Sequence, residues 1–109
     1  MSDSLTLRAA IYHALARLSL SGYQAERICG KTRLFDIIAW NKERIVFLAI
    51  RTSRTRSLTR FSDELISLCR MVNSHPVPVQ IQFWLYCNAE WSQYQILSGG
   101  AMPIREGSL

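Results

Sequence analysis

The chain has 109 residues, 49% of them hydrophobic and 19% charged, with a net charge of +5. That length supports one domain with its own core, and the composition excludes intrinsic disorder. No apolar run reaches the roughly 18 residues that span a bilayer, and the first residues lack a signal-peptide pattern, so no membrane partner is expected.

The first helix is predicted over residues 5–20, where Leu7, Ala10, Ile11, Ala14, Leu15 and Leu18 recur at the spacing of one helical face. Ser2, Asp3 or Ser4 is available as its N-cap, and Ser21-Gly22 supplies the stop. Residues 23–30 read as a short strand or an extended connection. "RLFDIIAW", residues 33–40, is rich in strand formers, and "NKE" after it is a hairpin turn. The return strand "RIVFLAIRT" is nearly continuous in apolar residues, as a central strand covered on both faces would be.

Helical spacing returns over residues 57–73, with Leu58, Phe61, Leu65, Leu68 and Val72 on one side. Ser57 or Thr59 can cap that helix, and Asp63 and Glu64 suit its positive N-terminal end. "SHPVPV" breaks it. "VQIQFWLYCN" then alternates, with Val79, Ile81, Phe83 and Leu85 on one face and Gln80, Gln82, Trp84 and Tyr86 on the other. After a turn at residues 88–90, "WSQYQIL" makes a last strand. The domain is expected over residues 1–97, with 98–109 a flexible tail.

Cys29, Cys69 and Cys87 cannot all pair with one another, and none forms a CxxC. Cys69 and Cys87 lie inside apolar patterns, so buried reduced thiols in a cytoplasmic protein are expected. His13 and His75 lack metal-ligand spacing, and neither reads as a catalytic base.

The element order, with Gly22-Tyr23 closing the first helix and "DIIAW" followed by "IVFLAIR", resembles the PD-(D/E)XK nuclease-like superfamily. Within it the likeness is to the archaeal Holliday-junction resolvases and related small endonucleases, over about residues 5–97. The resemblance implies an α/β fold: a restriction-endonuclease-like mixed sheet flanked by helices, in the order α-β-β-β-α-β-β. It also implies a homodimer. The family places an aspartate on one hairpin strand, a glutamate-x-lysine on the next, and often a further glutamate on the first helix. Asp36 matches the aspartate, Ala49 stands in place of the second acid, and Arg51 stands in place of the lysine. The first helix has no acid after Asp3.

Those departures matter chemically. Phosphodiester hydrolysis of this kind needs Mg²⁺ held by carboxylates, and a guanidinium cannot act as a base, although it can clamp a phosphate in a bidentate fork. On a strand, positions two apart share a face, so Ala49 and Arg51 point toward the side that Asp36 must occupy to meet them. The expected consequence is an ion pair between Arg51 and Asp36 at vestigial catalytic positions, with no metal or other cofactor.

The net charge of +5 favours an anionic partner, because basic side chains release counterions on meeting phosphates. The expected partner is nucleic acid, DNA first. Its contacts are expected from Arg33, Arg51, Arg54, Arg56 and Arg60, the last four interleaved with serine and threonine hydroxyls. Cleavage is not expected. One alternative is an active Mg²⁺-dependent endonuclease whose acids have migrated, such as Asp36 with Glu26 or Glu64. Another is a non-enzymatic subunit that dimerises through aromatics on a strand. Trp40, Trp84, Tyr86, Trp91 and Tyr94 offer base-stacking surface; for Trp84 and Tyr86, packing under a helix or in a dimer face fits better.

Overall fold

The computed structural model describes residues 5–74 and 79–104. Two helices, α1 (Leu7–Leu20) and α2 (Ser62–Ser74), flank one six-stranded sheet. Its strands are β1 (Gln24–Arg27), β2 (Ile37–Trp40), β3 (Ile45–Thr52), β4 (Gln80–Cys87), β5 (Glu90–Leu97) and β6 (Gly100–Pro103). They lie side by side in chain order. Every neighbouring pair is antiparallel except β3 and β4, which run parallel because α2 carries the chain back between them. Among the described residues no helix is long and apolar enough to cross a membrane.

The two helices bury the two faces of the sheet. Ala10, Ile11, Ala14 and Leu18 of α1 pack on Ile37, Val46, Leu48 and Ile50. On the opposite face, Phe61 and Leu68, with Leu58, Leu65 and Val72, pack on Ala49, Ile81, Phe83 and Leu85. β3 thus alternates between two cores, which explains why its sequence is apolar at almost every position.

Local chemistry sets the boundaries. Residues 1–4, which hold the three predicted caps of α1, lie outside the described residues; Thr6 is the N-cap, its hydroxyl accepting from Ala9 N at 3.1 Å. Gly22, at φ +88°, closes the C-terminal end in a conformation that costs a residue with a Cβ dearly. In the β2–β3 hairpin the Asn41 side chain accepts from the amides of Glu43 and Arg44 at 2.8 and 2.9 Å. Ser57 accepts from Thr59 N at 3.3 Å, opening a 3₁₀ turn (Thr59–Phe61) ahead of α2. The helix-breaking "HPVP" at 75–78 lies outside the described residues.

Two expectations need correction. The strand predicted from residue 33 begins at Ile37; residues 31–36 form a turn and bends in which the Arg33 side chain bridges Gly30 O and Asp36. The segment predicted as a flexible tail contributes β6: "SGG" turns the chain, and Gly100–Pro103 pairs with β5. Proline is tolerated there because β6 is an edge strand, and four residues are too few for a periodic pattern. Of the two placements expected for the β4 aromatics, the structure shows packing under a helix. Trp84 is 0% exposed and Tyr86 9%, both beneath α1 and edge-on to Trp91. A charge at Trp84 would cost on the order of 4 kcal/mol of stability.

Candidate functional site

Asp36 immediately precedes β2 and is 3% exposed. Its backbone ties both neighbouring strands, its amide donating to Leu48 O at 2.8 Å and its carbonyl accepting from Ile28 N at 2.8 Å. The carboxylate is fully engaged as well. Oδ1 accepts from Arg33 Nε at 2.9 Å; Oδ2 accepts from Ile50 N at 2.8 Å and Arg51 Nη1 at 3.0 Å. Arg33 also donates to Gly30 O at 2.7 Å, three residues back, so a local contact aims this guanidinium.

Strand alternation puts Ala49 and Arg51 on the α2 face with Asp36, as the spacing of two residues requires. The predicted Arg51–Asp36 ion pair is present. Arg51 also donates to Glu64 on the first turn of α2. Two carboxylates and two guanidiniums therefore compensate one another. Ala49, at 1% exposure, packs its methyl into the apolar cluster under α2.

Glu64 is the residue that the sequence left underweighted. An acid in the first turn of a helix is already explained by the helix dipole, which masks any second role. The migrated-acid alternative names it together with Asp36; in the structure Arg51 stands between the two carboxylates and contacts both. Glu26 is exposed on β1 and is not among the hydrogen-bond partners of Asp36. A divalent cation does not fit this donor set. Magnesium binds through carboxylate oxygens, whereas Oδ2 of Asp36 already accepts two N–H donors and Oδ1 a third, and an always-charged guanidinium fills the adjoining space. Among the described residues no three His, Cys, Asp or Glu side chains converge on one point.

The remaining arginines part company beyond β3. Arg56 pairs with Glu90 at the β4–β5 turn, with both side chains more than half exposed. Nothing in the sequence signals that pair, because 34 positions separate its members. Arg54 makes no ion pair or side-chain hydrogen bond among the described residues. Arg60 leans on the Phe61 ring, 5.9 Å from its centroid, and likewise has no acid. Both line a cavity of about 250 Å³ with Leu5, Thr52, Ser53 and Tyr86.

Elsewhere, His13 Nδ1 accepts from Trp91 Nε1 at 2.9 Å, so Trp91 is occupied by packing and polar contact within the chain. On the exposed side of α1, Tyr12 Oη accepts from Arg27 Nη1 at 3.5 Å. That bond, with a smaller contribution from Arg8, holds the Tyr12 hydroxyl below the usual tyrosine pKa. Cys29 is exposed, Cys69 half-buried and Cys87 buried, all as free thiols.

Comparison with solved structures settles the architecture. The chain is similar to Hjc, a Holliday junction resolvase from the archaeal hyperthermophile Archaeoglobus fulgidus, with a TM-score of 0.60 over 94% of this chain and 85% of that one. The fold is restriction-endonuclease-like. Sequence identity is 16%, so the likeness is one of fold. No family model matches the sequence, and no curated protein is significantly similar to it.

Proposed function

We propose that this chain is a nucleic-acid-binding protein, for DNA first, built on a nuclease-like fold whose cleavage centre is closed. The observation that carries the reading is how its arginines are partnered. Arg33 and Arg51 are spent on Asp36 and Glu64, where a metal and its ligands would have to assemble. Arg54 and Arg60 are left without acids among the described residues, beside serine and threonine hydroxyls that suit phosphate oxygens. DNA is put first because the similar Hjc is a Holliday junction resolvase. Arg33, Arg51 and Arg56, each predicted to contact phosphate, are secondary in this reading because each already holds a carboxylate. A homodimer belongs to the proposal too, with Trp84 and Tyr86 excluded from its interface by their burial.

The test sets a salt-dependent binding titration beside incubation of plasmid and four-way-junction DNA with Mg²⁺ or Mn²⁺. Binding that weakens with salt, without cleavage, is the expected result. Metal-dependent cleavage abolished by Asp36→Asn would establish the enzyme instead. The specific observation favouring that second reading is the approach of Glu64 to Asp36 across one guanidinium. Neither binding nor cleavage would favour an interaction subunit.

A further inference from the structure

We propose that the cavity at the end of β3 is a pocket for a terminal phosphate, the phosphomonoester at the end of a nucleic-acid strand. This deepens the nucleic-acid reading and rests on it. Arg51 and Thr52 are consecutive on β3 and so face opposite sides of the sheet: Arg51 faces α2 and the Asp36 network, whereas Thr52 lines the cavity together with Leu5 and Tyr86 of the α1 side. The pocket is therefore separate from the closed centre.

Its chemistry is one-sided. Among the described residues no carboxylate lines it, and Arg54 and Arg60 both do. Ser53 Oγ accepts from Thr55 N at 3.2 Å, which leaves its own hydrogen to donate; the Thr52 hydroxyl is a further donor. The floor is fixed, because Ser53 N donates to Tyr86 O at 3.0 Å and the Tyr86 ring is held in the core beneath α1. The two arginines sit exposed on the rim of that fixed floor.

Charge matching selects the ligand. Two guanidiniums without an acid among the described residues suit a group carrying close to two negative charges, and a phosphomonoester carries about −1.5 to −2 at pH 7. An internal phosphodiester carries only one charge and must lead two substituents back out of a cavity of about 250 Å³. A terminal phosphate leads out one.

The experiment measures fluorescence anisotropy of one oligonucleotide sequence in three forms: 5′-phosphorylated, 3′-phosphorylated, and hydroxyl at both ends. The full chain is compared with the Arg54→Ala/Arg60→Ala variant, whose changes are on exposed side chains and leave the core intact. One phosphorylated form is expected to bind about tenfold more tightly than the hydroxyl form, and the variant to lose that preference. Millimolar inorganic phosphate, matched in ionic strength by chloride, is expected to erase the preference while the hydroxyl form stays bound. Equal affinities for all three forms would overturn the pocket and leave nucleic-acid binding standing. So would phosphate that weakens every form alike. Failure of all three to bind would remove the nucleic-acid reading, and the pocket with it.

Discussion

Arg51 and Arg54 are three residues apart in sequence and belong to different worlds. Arg51 is enclosed by Asp36 and Glu64 and serves the fold; Arg54 lines an open cavity beside Arg60 and has no acid among the described residues. Their charge is identical, so charge alone does not separate a structural arginine from one free to meet a ligand. What separates them is strand alternation, which turns position 51 toward the first turn of α2, whereas position 54 lies past the end of β3. A half-buried guanidinium gains from compensation where it lies, while an exposed one can wait for an anion from outside.

The largest effect expected from this contrast is on stability. Asp36→Ala should cost about 3 kcal/mol in urea unfolding, because it strips the Ile50 amide of its acceptor and leaves Arg33 and Arg51 without their shared anion. Arg54→Ala with Arg60→Ala should change stability by less than about 0.5 kcal/mol. Comparable losses from the two would erase the distinction between the regions.

Binding should show the reverse. The Arg54/Arg60 variant should lower the salt slope of DNA binding by about two units, one for each lost phosphate contact. Adding Arg56→Ala should take away little more, since Arg56 already answers Glu90. A slope that falls by a further full unit would show that the Arg56–Glu90 pair opens for DNA. An unchanged slope in the double variant would move the binding surface elsewhere.

Removing one partner from the Asp36 network should give an intermediate result. Arg51→Ala is expected to cost about 2 kcal/mol, less than Asp36→Ala, because Arg33 and the Ile50 amide still hold the carboxylate. Glu64→Gln, at a side chain 43% exposed, should cost about 0.5 kcal/mol or less. If the Glu64 change matched the Arg51 change, Glu64 would be part of a tightly buried triad instead of its outer member.

The smallest expected effect is none. Millimolar Mg²⁺ or Mn²⁺ should leave the thermal midpoint of the wild-type chain unmoved, since a ligand bound only by the folded state would raise it. Ala49→Glu with Arg51→Lys places a second carboxylate beside Asp36 and should bring a Mn²⁺ response. That response comes with a stability loss, because position 49 is packed in the apolar cluster under α2. Stabilisation of the wild type by Mn²⁺, abolished in Asp36→Asn, would reopen the centre as an active one.

Much of the scaffold was legible from local patterns. Apolar residues at helical spacing located both helices and their buried sides, and the unbroken "IVFLAI" marked the strand covered on both faces. Alternation in β4 assigned each side chain to the correct face, and a spacing of two put Ala49 and Arg51 on one face of β3. These are short-range consequences of helix and strand geometry, so the sequence alone determines them. Tertiary structure decided which charges are free. Glu90 answers Arg56 across the sheet edge, Glu64 closes on Arg51, and β6 forms only because β5 is there to pair with it. Each of these depends on groups brought together by the packed sheet and its turns, and partners of that kind leave no periodic trace in the chain.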